Sequence, residues 1–301
     1  GAYVDEITVL PETFWTQLLA RLSVPGAKLF GTTNPDGPQH WLRQKYLLRA
    51  GELSLRSWLF TLDDNPGLDP QYVRDLKAEY VGLWHRRMIL GEWCLAEGAV
   101  FDMFDPGRHV VDTLPPIVRW IAAGIDYGTR NPFHAVLLGL GSDERLYVTS
   151  EWRHDSATAR RQLTDVEYSQ RVREWLATAP IPTTTLTGVE PEYLVVDPSA
   201  ASFRIQLYRD GVTARLGDNN VVDGIRTLSS LFALDRLRIH ASCRGLLDEL
   251  PGYSWDDRAA ERGEDAPIKV ADHGIDATRY AVHTTRTAWR NSLPSGLTLA
   301  A

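Results

Sequence analysis

Three short acidic segments hold the residue types that chemistry needs. Ile125-Asp126-Tyr127-Gly128 closes one apolar run and Val196-Asp197-Pro198-Ser199 closes another. Asp272-His273-Gly274-Ile275-Asp276 opens the last amphipathic stretch. A carboxylate where a buried strand emerges is costly unless something cationic meets it. Carboxylates converging from three elements are hard oxygen ligands that suit Mg2+ or Mn2+. Two such ions would activate a water and stabilise the leaving oxygen of a phosphodiester. Each acid also has a plain structural reading, as a turn-starting Asp bonding its own backbone or one surface carboxylate among 39 acidic residues. That two of them end apolar strands favours a site.

In the last segment the two acids divide the work. Asp272 stands at the N-cap position, where its side chain bonds exposed backbone N–H groups at a value of about 1 kcal/mol. Asp276 lies one turn further in and is the expected third ligand beside Asp126 and Asp197. His273 falls about 60° from Asp276 around the helix and is an auxiliary that flanks the metals or orients the attacking water. Asp272 is mainly a cap and only secondarily a metal ligand.

The elements that must position these residues follow from periodicity. Val118–Asp126, Ala135–Leu140 and Leu146–Trp152 read as three antiparallel strands joined by tight turns. A helix over 165–177, a strand at Tyr193–Val196 and alternating helices and strands follow, ending in a helix to about 288. That order is the one of a ribonuclease-H-like fold, in which the first and fourth strands are central neighbours and their ends meet. Upstream, a strand ending in Val4-Asp5-Glu6, a helix over 12–22 and a strand at Ala27–Gly31 read as half of a parallel α/β sheet. Asp5-Glu6 after such a strand has the form of a Walker B element, in which Asp binds Mg2+ through water and Glu orients the attacking water. No G-x-x-x-x-G-K-[ST] loop occurs in the sequence. The chain is therefore expected to start inside a domain whose first half lies outside it, and as given not to turn over ATP. Further expectations are a strand at 57–61, a helix from Asp69-Pro70 to about Tyr80 and another over 83–90 ending at Gly91. The irregular stretch with Pro106-Gly107 and Pro115-Pro116 marks a domain boundary.

Composition narrows the class. The 301 residues suggest about two domains, and 44% hydrophobic with 24% charged residues is ordinary for a globular protein. Cys94 and Cys243 fit no metal-ligand spacing and read as buried, reduced thiols. No apolar run reaches the about 18 residues of a membrane span, and the N-terminus is expected to lack a signal peptide. A net charge of -7 argues against a chain coated in positive charge but leaves room for a local basic face.

With these motifs in order, the chain resembles the large terminase subunit of tailed bacteriophages, which joins a packaging ATPase to a ribonuclease-H-like nuclease. Val4-Asp5-Glu6 looks like its Walker B element, and Gly31-Thr32-Thr33-Asn34-Pro35 like its coupling motif. Asp63–Pro66 and Gly91-Glu92-Trp93 are similar to the segment leading out of the ATPase. Asp126 and Asp197 match the first two nuclease acids, and Asp272–Tyr280 resembles the D-H-x-x-D-A-x-R-Y signature. The resemblance implies an α/β fold: a ribonuclease-H-like nuclease domain over 109–301, its mixed central sheet flanked by helices, preceded by part of a P-loop-type ATPase domain over 1–108. It implies a metal-dependent endonuclease that cuts concatemeric double-stranded DNA during packaging, with Mg2+ or Mn2+ at Asp126, Asp197 and Asp276. Asp5, Glu6, Thr33 and Asn34 would serve ATP only in the complete protein. Implied partners are double-stranded DNA, a small terminase subunit and a portal protein, with the chain oligomeric on the portal, monomeric in solution and off any membrane. The implied location is the cytoplasm of the infected host, outside the mature virion.

Two other classes stay open on the residues alone. A transposase, integrase or Holliday-junction resolvase shares the fold and acids but does not explain Thr32–Pro35, and a non-catalytic assembly module would use the acids as strand-end caps. Among lesser features, Arg130, Arg153, Arg160, Arg161, Arg171 and Arg173 are candidates for phosphate contact. Trp15, Trp41, Trp58, Trp93 and Trp120 read as core, His134 and His240 as structural, and Glu151 as a possible helper to the metals.

Overall fold

Residues 1–129 and 131–294 are described by the computed structural model. The chain divides into two units, Gly1–Gly98 with Trp255–Pro267, and Ala99–Ser254 with Ile268 onward. In this division the first unit runs to Gly98, and 13 residues from late in the sequence rejoin it. Arg87 explains the return: its buried guanidinium pairs with Asp36 at 3.0 Å and with Asp265, and donates to Cys94 O at 2.7 Å. A buried guanidinium is tolerated only when so paired.

In the first unit β1 (Ala2–Val4) and β2 (Leu29–Gly31) pair in parallel, linked by α1 (Glu12–Arg21). Trp15 on α1 packs with Val4, Ile7 and Leu42. Pro70–Glu79 forms α2 as the sequence indicates, with Asp69 accepting from the N–H groups of Gln71 and Tyr72. Gly82–Trp84 is helical and runs on as a π-helical turn, His85–Ile89, which ends at Gly91 with φ 69°. Residues 57–61 form no strand, and Trp58, Leu59 and Phe60 are exposed instead of core. Their β propensity has no partner strand to act on.

In the second unit seven strands form one sheet: β3 (Val110–Val111), β4 (Ile117–Asp126), β5 (Phe133–Gly141), β6 (Leu146–His154), β7 (Tyr193–Val196), β8 (Ala214–Leu216) and β9 (Leu237–His240). Their order across the sheet is β3-β9-β6-β5-β4-β7-β8. β4, β5 and β6 are antiparallel, whereas β7 joins β4 in parallel and β8 joins β7 in parallel. This is the expected mixed, ribonuclease-H-like arrangement.

Alternation along β4 sorts its two faces. Ala123 and Ile125 point into a core shared with Phe133, Leu137, Tyr168 of α3 (Asp165–Thr178) and Phe203 of α4 (Ala201–Arg209). α5 (Val221–Ala233) and α6 (Arg244–Glu249) precede the last long helix, α7 (His273–Thr284), which lies against β4 and β5 on the opposite face. Helix formation pauses at Thr285 and resumes over Arg286–Trp289, so the expected continuous helix is two. No helix among the described residues is long and apolar enough to cross a membrane.

Candidate active site

The first two acids meet because their strands pair. Ala122–Ile125 of β4 run in register with Tyr193–Val196 of β7, and the Asp197 N–H donates to Ile125 O at 3.0 Å. Asp126 and Asp197 therefore leave the sheet side by side. Asp126 shares a face with Gly124, two residues earlier. A Cβ on Gly124 would lie 2.2 Å from Ala277 O, so glycine is what lets α7 approach the strand. That approach delivers His273 and Asp276, on the first turn of α7, to the same sheet end.

Bonds and charges link these residues. His273 Nδ1 donates to Asp126 Oδ2 at 2.9 Å. Burial raises the Asp126 pKa; the His273 bond opposes this, and the negative charges of Asp276 and Asp197 add to it. The His273 pKa is raised, first by its bond to Asp126. Tyr280 is also pushed up, by burial and then by the negative charges of Asp197, Asp276 and Asp126. Asp276 is met by two cations: Arg279 Nε at 3.2 Å on Oδ1 and Lys269 Nζ at 3.0 Å on Oδ2. Lys269 Nζ also stands 3.2 Å from Asp272 Oδ2. Asp197 turns its carboxylate onto Ser199, accepting from the backbone N–H at 2.8 Å and the hydroxyl at 2.7 Å.

Among the described residues no three His, Cys, Asp or Glu side chains stand where together they could hold a metal ion. Histidine engages the Asp126 carboxylate, and lysine and arginine engage that of Asp276. The donor chemistry fits a hard divalent ion, since the oxygens are carboxylate and those of Asp126 and Asp276 are largely desolvated and already draw in positive charge.

Asp272 occupies the N-cap position of α7 but makes no side-chain capping bond. Glu249 at the end of α6 takes that role, with Oε2 accepting from the N–H of Gly274 at 2.6 Å and of Ile275 at 3.3 Å. Asp272 is left facing Lys269, and no strand precedes it. Glu151 serves a parallel purpose, accepting from His134 Nε2 at 2.9 Å and from the N–H groups of Gly245 and Leu246 at the start of α6. Burial would raise the Glu151 pKa, but His134 and these donors hold it below its ordinary value. Glu151 is therefore committed to α6 and does not join the acid cluster.

Solved and curated proteins resemble the chain over most of its length. The large terminase subunit of Escherichia phage T5 is 24% identical over 289 residues, covering 91% of this chain and 62% of its own length. The structure of the large terminase from the thermophilic bacteriophage D6E superposes with a TM-score of 0.85 at 37% identity, covering 94% of this chain and 68% of that one. The chain belongs to the phage large terminase family. The D6E terminase in complex with ADP matches equally well, with a TM-score of 0.85 at 38% identity. No family model matches the sequence. The chain spans 62% of the T5 subunit and 68% of the D6E terminase.

In this chain the other residues singled out from sequence fall into separate places. Asp5 and Glu6 end β1 and are exposed, and the Asp5 carboxylate accepts from the Thr32 hydroxyl. Thr33 bonds Thr8 Oγ1 at 2.7 Å, and Thr8 Oγ1 donates to Asn34 O at 3.3 Å, so the ends of β1 and β2 are knitted together. Of the arginines, Arg153 faces Glu249 at 3.4 Å, Arg161 pairs with Glu167, Arg171 with Glu174 and Arg173 with Asp210. Arg160 ends a short helix with φ 51°, and Arg130 lies outside the described residues. Trp15 is buried, and Trp41, Trp93 and Trp120 are half-buried. His134 is fully buried and structural, and His240 bonds Ser242 and Asp112 O. Sequence reasoning missed Lys269, Arg279 and Glu249. Only Arg279 carried a signal, as the residue three after Asp276 on one helix face.

Proposed function

We propose that this chain carries the DNA-cutting nuclease of a phage packaging machine, together with part of its translocating ATPase. In this reading Asp126, Asp197 and Asp276 hold Mg2+ or Mn2+, and the chain cleaves concatemeric double-stranded DNA with little sequence preference. The observation that supports it is the register of β4 with β7, which sets Asp126 beside Asp197 under the first turn of α7. A divalent ion, when bound, supplies Lewis acidity at the phosphodiester and lowers the pKa of water. The chain's residues orient and exclude. Asp126 holds His273 at 2.9 Å, and His273 would take the proton of the attacking water. Arg279 fixes Asp276 from within the core. Asp5, Glu6, Thr33 and Asn34 would answer to ATP in the complete protein, where a phosphate loop is supplied. The small terminase subunit, the portal and double-stranded DNA are the partners this reading requires, in the cytoplasm of the infected host.

A plasmid-nicking assay with Mn2+ tests the reading. The folded chain should nick supercoiled DNA, lose that activity in EDTA and lose it in Asp276→Asn. Nicking that persists in EDTA, or in a folded Asp276→Asn protein, would remove the metal site from the account.

A further inference from the structure

We infer that Lys269 is a built-in competitor for the divalent ion, its ammonium holding Asp272 and Asp276 until an ion displaces it. The inference rests on the metal-nuclease reading of the same site. Two cations engage Asp276, and they differ in freedom. Arg279 is fixed: it is fully buried, donates to Asp218 O at 3.0 Å and stacks over the Tyr280 ring at 4.6 Å. Its stem also fills the space beside Gly224, where a Cβ would lie 2.3 Å from Arg279 Cγ. Lys269 is less enclosed, with its side chain 54% exposed on a segment where Val270 is 71% exposed. Its Nζ lies 3.0 Å from Asp276 Oδ2 and 3.2 Å from Asp272 Oδ2, bridging the two acids from the solvent side.

A carboxylate oxygen that binds Mg2+ does so at about 2.1 Å. It cannot also keep an ammonium at hydrogen-bond distance without setting two cations against each other. With the ammonium in place the paired acids are spared the mutual repulsion of desolvated like charges. Lysine suits this task because it is a compact charge on a flexible stem, whereas the guanidinium beside it is a rigid fork.

The test uses the full chain and Mn2+ alone, with no DNA. Free Mn2+ is followed by electron paramagnetic resonance in wild type, Lys269→Met, Lys269→Gln and Lys269→Arg, and melting is recorded with and without the ion. Removing two partly screened ion pairs should tighten Mn2+ binding about tenfold in Lys269→Met and Lys269→Gln. Mn2+ should also raise their melting temperature more than that of wild type. Lys269→Arg, which keeps the charge, should not tighten Mn2+ binding. If wild type binds Mn2+ and the uncharged variants bind it equally or more weakly, the competitor role is wrong while the metal site stands. If no form of the chain binds Mn2+, the metal reading falls and takes this inference with it.

Discussion

Two parallel strand pairs in this chain end in acids, and they treat the leading aspartate, Asp5 or Asp126, in opposite ways. At the ends of β1 and β2 the acids are exposed and their partners are neutral: Asp5 accepts from Thr32, which Tyr3 Oη also meets at 3.1 Å. At the ends of β4 and β7 the acids lie beside α7: Asp126 meets His273, Asp197 keeps a neutral partner in Ser199, and Asp276 on α7 itself meets Lys269 and Arg279. Solvent makes the first set inexpensive to keep, so hydroxyls suffice. Burial makes Asp126 and Asp276 costly unless positive charge compensates them, and that same demand is what a divalent ion answers. The strand-end aspartate looks alike in both places in the sequence. What packs over it decides its chemistry.

The largest expected effect probes that cover directly. Gly124→Ala drives a Cβ into the Ala277 carbonyl at 2.2 Å, and a backbone oxygen cannot yield. Chemical denaturation should show a loss of about 3 kcal/mol. Gly31→Ala, in the first pair, meets the far end of the Ile7 side chain at 2.2 Å and should cost about 1 kcal/mol, because that atom can swing away. Equal losses would mean that α7 is not held tightly on β4.

The pH dependence sharpens the same contrast further along α7. His283 is buried; burial, then Arg286, lowers its pKa to about 4 despite Asp218 at 3.4 Å. It stays neutral in the fold and shares a bond with Thr227 at 2.9 Å. The unfolded chain takes up the proton near its ordinary pKa of 6.5. Stability should therefore be complete above that pH and fall as pH drops towards 4, by up to about 3 kcal/mol in all. His283→Gln should flatten this slope in thermal melts across that range, and an unchanged slope would assign the acid sensitivity elsewhere.

A smaller effect separates the two candidates for the α7 cap. Glu249→Ala leaves the N–H groups of Gly274 and Ile275 without their acceptor and should cost about 2 kcal/mol, whereas Asp272→Ala should cost less than about 1 kcal/mol. The reverse order in urea denaturation would return the cap to Asp272. Smallest of all, Thr32→Val removes bonds between exposed groups at β1 and β2 and should change stability by less than about 1 kcal/mol.

The sequence carried whatever an element says about itself. The apolar runs of β4, β5 and β7, the Asp69-Pro70 start of α2 and the acids at strand ends all stand where their patterns put them. It was silent where the partner is remote. Glu249 caps a helix that begins 24 residues later, and nothing in its own neighbourhood announces this. Asp272 looked like a cap because local rules assign one, and a tertiary acceptor took its place. Trp58-Leu59-Phe60 has strand propensity without a partner, and residues 255–267 return to the first unit through Arg87 and Asp265. Lys269 reads as one more surface charge until the fold sets it on two buried acids.

The central claim is that the acids at β4 and β7 are a phosphodiester-cleaving metal site. Asp126→Asn tests it most directly, since the amide keeps the shape and can still meet His273 while its charge is gone. The Mn2+-dependent nicking rate of the full chain should fall by at least about a hundredfold, with melting close to wild type. A folded Asp126→Asn chain that nicks DNA at the wild-type rate would contradict the account.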